Sequence, residues 1–217
     1  MTVRIATAGV WLDCITPLSD AALTAVRAER PDVVGIVRSS PLPRNNASAE
    51  IAAPEVQRIV FGHGYDLMIY QRVRGTQASG MLWTPSEHDG AEDAQCAAEW
   101  ALKAGYELGA SLWEDLEGTT KDSPEQVIGY VDPWGAAAAK VGYKPDLYVG
   151  FSPGLNGQQL YDRPGPTSYW HGGGGPEVAV RGCSMRQSGT VVIAGVTFDV
   201  NRVAPDLLGG LPSCMAA

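Results

Sequence analysis

Asp115 and Glu117 stand two residues apart in Ser111-Leu112-Trp113-Glu114-Asp115-Leu116-Glu117, a short apolar run that ends in acids. In an extended chain successive side chains point to opposite faces, so these two acids share one face while Glu114 and Leu116 take the other. Two carboxyl groups held together without a nearby cation raise each other's pKa. One can then keep its proton near neutral pH and donate it while its neighbour stays charged. That is the equipment of glycoside hydrolysis. A lone acid more often caps a loop or pairs with an arginine, here Arg72 or Arg186, so Asp115 and Glu117 need company. Asp13, closing Gly9-Val10-Trp11-Leu12-Asp13, and Asp199 with Asn201, in Phe198-Asp199-Val200-Asn201, supply it if their strands converge.

The elements that would bring them together can be read from the hydrophobic pattern. Short β-branched runs followed by helical periodicity recur along the chain, as parallel strands with crossover helices require. Strands are expected at 9–13, 33–38, 67–73, 111–117 and 146–151. Helices are expected at 18–30, with Ser19 as N-cap, at 54–61, at 90–108 and at 124–141, where Pro124 sits early and costs least. A Pro/Ser/Asn-rich loop at 39–48 is long enough to shape a cleft. After residue 151 the helices fade, and 167–171, 183–187 and 195–199 read as three more strands, with 191–200 alternating well enough for a hairpin arm. The fold class is therefore α/β. A TIM-like β/α barrel is expected, with about five βα units followed by three strands with few helices, eight strands in all. Residues 1–217 form one domain on this reading. In such a barrel the strand C-termini form the mouth, which selects Asp13, Asp115, Glu117, Asp199 and Asn201. Leu112 and Leu116 belong to the helix-facing layer, leaving Trp113, Asp115 and Glu117 inside.

Composition narrows the function. Of 217 residues, 45% are hydrophobic and 18% charged, enough apolar material for a substantial core. The 24 acids against 16 Lys+Arg give a net charge of -8 with no basic stripe, so nucleic acid is not an expected partner. Cys14, Cys96, Cys183 and Cys214 are scattered without a CxxC and read as free thiols; His63, His88 and His171 are too dispersed for a metal triad. No metal and no cofactor is expected. Gly172-Gly173-Gly174-Gly175 lacks the Lys-Ser/Thr of a phosphate-binding loop and reads as a flexible connector. Ser152 has no Gly-x-Ser-x-Gly context, which disfavours a serine hydrolase. No apolar stretch approaches the ~18 residues of a membrane span, and the N-terminus lacks the apolar core of an export signal.

These landmarks together resemble the family 25 glycoside hydrolases (lysozymes) and, more closely, a glycoside-hydrolase-like family of domains of unknown function related to them. The resemblance rests on Leu12-Asp13-Cys14-Ile15-Thr16-Pro17, on Ala94-Gln95-Cys96-Ala97 ahead of Glu114-Asp115-Leu116-Glu117, and on Arg186-Gln187, Gly195-Val196 and Phe198-Asp199-Val200-Asn201. Trp11-Leu12-Asp13-Cys14 departs from the Gly-hydrophobic-Asp-x-Ser of the lysozymes and favours the uncharacterised branch. The resemblance implies Glu117 as general acid, Asp115 orienting the acetamido group or modulating Glu117, and Asp13 and Asp199 as further mouth carboxylates. It implies the N-acetylmuramic acid to N-acetylglucosamine linkage of peptidoglycan as substrate.

Tyr70, Trp113, Tyr148, Trp170, Gln187 and Asn201 are the candidates for holding the sugar, the aromatic faces suiting the apolar side of a pyranose. The alternative is a catalytically silent carbohydrate-binding or phage-particle structural barrel, since fold does not establish activity. Without an export signal the product is expected to be cytoplasmic as made, then phage-associated or released to act on the cell wall. The pattern leaves the oligomeric state open.

Overall fold

The computed structural model describes residues 2–43, 49–75, 80, 82–119 and 122–217, so residues 44–48 of the loop expected at 39–48 lie outside the described part. Eight strands close into a barrel: β2 (Gly9–Cys14), β3 (Val33–Ser40), β4 (Asp66–Gln71), β5 (Ser111–Leu116), β6 (Lys144–Val149), β7 (Tyr169–His171), β8 (Met185–Ile193) and β9 (Val196–Val203). Closure is made by the β4–β5 pairing, Ile69 beside Leu112 and Tyr70 beside Trp113. All neighbours are parallel except β9, which runs antiparallel to both β2 and β8. The turn before β9 has only Ala194 and Gly195 between the paired Ile193 and Val196, both at positive φ (50° and 77°), the backbone that a two-residue hairpin needs.

Five helices follow the first five barrel strands. α1 (Asp20–Glu29) starts where the Ser19 hydroxyl accepts the Ala22 amide, and it buries Ala22, Leu23 and Val26. α2 (Ala53–Gln57) runs directly into a π-turn at Arg58–Gly62. α3 (Gly90–Ala104) ends earlier than the periodicity predicts, because Gly105 takes the left-handed conformation (φ 85°). Tyr106 therefore lies beyond the helix, where its hydroxyl donates to the Ser111 carbonyl. α4 (Pro124–Val141) has the expected bounds and opens with a Ser123/Gln126 capping box. α3 and α4 approach closely: a Cβ on Gly90 would lie 2.1 Å from the Tyr130 carbonyl oxygen. The fifth, α5 (Gly157–Tyr161), is a little over one turn. None of these helices is long and apolar enough to cross a membrane.

Two short strands that periodicity did not reveal, β1 (Thr2–Ile5) and β10 (Ser213–Ala216), pair antiparallel with each other and extend the sheet from the foot of β4. They close the lower end, with Ala6 and Cys214 packed against Met68, Val203 and the barrel tryptophans. Alternation along each strand then produces two cores. Leu12, Ile36, Leu67, Ile69, Leu112 and Leu116 face the helices. Trp11, Val37, Met68, Trp113, Trp170 and Met185 fill the interior, as an eight-stranded barrel requires. The Gly172 to Gly175 run is packed at its two ends, while Gly173 and Gly174 between them are exposed. A Cβ on Gly172 would meet the Tyr148 hydroxyl at 2.1 Å, and one on Gly175 the Val149 carbonyl at 2.4 Å.

The interior fit is tight enough to test. Trp11 is accommodated because its β3 neighbour is Gly35, where a Cβ would stand 2.4 Å from the indole ring. Gly35→Ala is expected to cost about 1–3 kcal/mol in urea denaturation, as overpacked cores do. Combined with Trp11→Leu, the loss should be smaller than the sum of the two single losses.

Candidate active site

Above the tryptophan layer the barrel opens into a cavity of about 600 Å³ whose lining includes Asp13, Tyr70, Asp115, Glu117, Tyr148, Trp170, Gln187 and Asp199. The four acids anticipated from the sequence thus meet at one end of the barrel. Asp115 is on the inward face near the end of β5, opposite Tyr148 of β6, which in turn is opposite Trp170 of β7. Glu117 follows just past the strand, held by neighbours on both sides. The Trp83 indole donates to its carbonyl at 2.5 Å, and the Gly118 amide donates to the Phe151 carbonyl at 2.8 Å. Its carboxyl lies across Gly150, where a Cβ would stand 2.2 Å from Oε2. No larger residue could replace that glycine without displacing the acid.

Asp199 corrects one expectation. Its strand ends at Val203 rather than at 199 and runs antiparallel, so Asp199 reaches the mouth from the middle of β9, not from a C-terminal end. Reversal also places Asn201 deeper than Asp199. The register sets Asp13 directly opposite Asp199 and Trp11 opposite Asn201. Asn201 is wholly buried, and its orientation is fixed from both sides. Its Oδ1 accepts from the Trp170 indole at 2.9 Å, so its Nδ2 donates to Asp13 Oδ2 at 2.5 Å.

Trp113 and Asn201, both candidates for sugar contact, lie one layer below the cavity and do not line it; Trp113 has no exposed surface. Trp113 is filler for the barrel, and Asn201 positions Asp13. Tyr70, Tyr148, Trp170 and Gln187 do line the cavity. Trp170 is the centre of an edge-to-face cluster with Tyr148, Trp113 and Tyr70, at ring separations of 4.8, 5.9 and 6.1 Å. The Tyr148 hydroxyl donates to Gln187 Oε1 at 3.1 Å.

Burial dominates the electrostatics. Asp13 is pushed up to about 8, first by burial and then by Asp199, against the opposing hydrogen bond from Asn201 and the charge of Arg38. Asp115 is driven well above the usual carboxylate range by burial, by Glu117 and by Asp13, and its Oδ1 has no hydrogen-bond partner among the described residues. Glu117, half-buried, is raised by burial and by Asp199 against a bond from the Phe151 amide. Asp199 is raised by burial, while Gln187 favours its charged form.

The arginines near the mouth are engaged elsewhere. Arg38 Nε bonds Glu55 Oε1 at 2.7 Å, Arg72 Nη1 bonds Glu50 Oε1 at 2.9 Å, and Arg74 grips Asp93 with Nε and Nη2. Arg186 pairs with Glu177, away from the acids. Among the described residues, no Lys or Arg forms an ion pair with Asp13, Asp115, Glu117 or Asp199. Arg72 and Arg74 themselves line the cavity and were not anticipated as site residues. Their alternation just after β4, at the strand end that a barrel turns toward its mouth, was the available signal.

Comparison with solved structures reproduces the barrel. The Tat-secreted protein Rv2525c of Mycobacterium tuberculosis superposes with a TM-score of 0.64 at 18% identity, over 90% of this chain and 95% of that one. A muramidase from Acremonium alcalophilum gives 0.62 at 15% identity, over 94% and 96%. A family 25 glycosyl hydrolase from Bacillus anthracis gives 0.57 at 12%, over 89% and 88%. At these identities the likeness shows the fold. No curated protein matches the chain by sequence. A family model does, over residues 26–181, and the chain belongs to the family that model describes, the Rv2525c-like, glycoside hydrolase-like domain.

Proposed function

We propose that the chain is a lysozyme-type glycoside hydrolase acting on peptidoglycan or a related amino-sugar polymer, with Glu117 as general acid and Asp115 assisting. The observation that carries this reading is a mouth with four carboxyl groups and, among the described residues, no cation paired to any of them, while three nearby arginines are each taken up by another acid. A purely structural set of acids would be expected to recruit those cations. Glu117, like Asp199, has both a raised pKa and partial access to the cavity, the combination needed to deliver a proton to a leaving glycosidic oxygen; of the two, Asp199 is the one whose charged form Gln187 favours. Asp115 lies deeper and holds its proton more firmly, which suits it to orient the acetamido group. Asp199 faces the cavity as the carboxylate whose charge Gln187 supports, fit to stabilise positive charge on the sugar or to activate water. Tyr148, partly exposed and backed by the nearly buried Trp170, offers ring surface to a pyranose. The named muramidase with the same barrel supports the substrate class.

Release of reducing ends from purified cell walls and chitin oligomers tests the proposal. Glu117→Gln is expected to lower kcat by about 10²–10⁴-fold with KM little changed, as removal of a general acid does. Equal rates in the two proteins would end the role assigned to Glu117. Glycan binding with no hydrolysis by the unaltered chain would favour a silent binding barrel instead.

The pH profile gives a second test. Activity should decline as pH rises through the raised pKa of Glu117, because the proton to be donated is lost. In Asp199→Asn a like charge is removed, so that pKa falls and the alkaline limb should move to lower pH. A limb that stays in place would show that Glu117 does not govern it.

Stability should carry the same signature. Asp13 titrates near 8 in the folded chain against an ordinary 3.8, so the folded state binds the proton more tightly. That advantage is full below the ordinary value and is lost as pH rises toward the folded one. Asp13→Asn is therefore expected to raise Tm at about pH 8 by at least ~2–4 °C relative to its effect at about pH 5, the shift that ~1 kcal/mol gives a domain of this size. An equal effect at both pH values would contradict the raised pKa.

A further inference from the structure

The cavity wall opposite in character to the four acids is made by Arg72 and Arg74, which flank Val73 just beyond β4 and both line the mouth. Each guanidinium is anchored from behind by a carboxylate with almost no exposure: Glu50 at 1% for Arg72 and Asp93 at 0% for Arg74. Asp93 is itself held by the Tyr130 hydroxyl, which donates to Oδ2 at 2.5 Å. Gln71 Nε2 in turn donates to the Tyr130 oxygen at 3.3 Å, and the Trp134 indole donates to Gln71 Oε1. Arg74 is thus fixed by a buried polar chain reaching back between α3 and α4.

These anchors do not take every donor of the two guanidinium groups. A guanidinium carries five N–H groups in a rigid fork. Glu50 takes one nitrogen of Arg72, and Asp93 takes two of Arg74, leaving Nε and Nη2 of the first and Nη1 of the second outside these pairs. Arg72 and Arg74 remain partly open, with side-chain exposures of 32% and 17%. Immobilised donors at the edge of a cavity favour a planar anion, because little side-chain entropy remains to be lost on binding.

We propose that Arg72 and Arg74 form an anion-recognising rim that takes a carboxylate carried by the polymer, so that the site prefers a carboxylated amino-sugar chain to a neutral one. This deepens the glycan reading above and rests on it. The carboxylate has two possible sources, an acidic substituent on the sugar ring or a peptide attached to it.

Calorimetric titration of the full chain carrying Glu117→Gln, which removes turnover, tests the rim with three probes. These are a neutral chitin tetrasaccharide, a tetrasaccharide of the same length with carboxylated ether substituents and no peptide, and a free acidic peptide. The carboxylated tetrasaccharide is expected to bind about tenfold or more tightly than the neutral one, the range of one or two charge-assisted hydrogen bonds. That preference should shrink as salt is raised. Tighter binding of the free peptide than of the carboxylated sugar would move the source of the carboxylate to the peptide. Because Arg72→Gln or Arg74→Gln alone would strand a buried acid, the variants pair each with its anchor, Arg72→Gln/Glu50→Gln and Arg74→Gln/Asp93→Asn. Each is expected to bring the carboxylated sugar toward the affinity of the neutral one. Equal affinity for both tetrasaccharides, no binding of any probe, or a preference that survives in both variants would overturn the rim. If the unaltered chain nevertheless cleaves both tetrasaccharides, the hydrolase reading stands without it. A clear preference with no cleavage by the unaltered chain would keep the rim and end the hydrolase reading.

Discussion

A carboxylate can leave water only if a cation or a set of hydrogen-bond donors replaces the lost hydration, or if it takes a proton. This chain meets that constraint in both ways: pairing serves three acids behind the barrel wall, while protonation is favoured in the mouth and also at Glu114, buried behind the wall beside Asp93 and Asp132. Behind the barrel wall Glu50, Glu55 and Asp93 are compensated by Arg72, Arg38 and Arg74. In the mouth Asp13, Asp115, Glu117 and Asp199 are buried or half-buried and, among the described residues, meet only amides, one asparagine and one glutamine, so all four are shifted toward the protonated form. The general-acid role proposed for this mouth depends on that shortage of cations.

The shortage can persist because the barrel below is already full. Trp11 over Gly35, with Trp113, Trp170 and Met185 above the closed foot, fills the space beneath the mouth, where Asp13 meets the Asn201 amide rather than a cation. The same packing turns Trp170 into a scaffold: nearly buried at the floor of the cavity, it fixes Asn201 through its indole N–H, and Asn201 fixes Asp13. The floor of the cavity and the orientation of a mouth carboxylate are therefore coupled through one side chain.

The antiparallel β9 has a comparable double consequence. It completes the barrel without a crossover helix, and it delivers Asp199 opposite Asp13 from mid-strand. Their mutual repulsion contributes to the raised pKa of Asp13. A crossover connection between β8 and β9 would have placed a strand end there instead.

Much of this was legible in the residues alone. Alternation in Ser111 to Glu117 determined that Asp115 and Glu117 share a face and that Leu112 and Leu116 face the helices, because the period of a strand is a local geometric fact. Ser19, Pro124 and the periodicities of α1, α3 and α4 determined those helices, again through interactions spanning a few residues. What only the tertiary structure decided depends on contacts far apart in sequence. The direction of β9 put Asn201 beneath Asp13, and packing density put Trp113 below the cavity rather than in it. The short strands β1 and β10 carry too few residues to show a period. Ion pairing between residues 17 to 22 positions apart made Arg38, Arg72 and Arg74 partners of acids outside the mouth. Local pattern can say which residues are acids and which way they point; only the assembled barrel decides which of them are left without a cation.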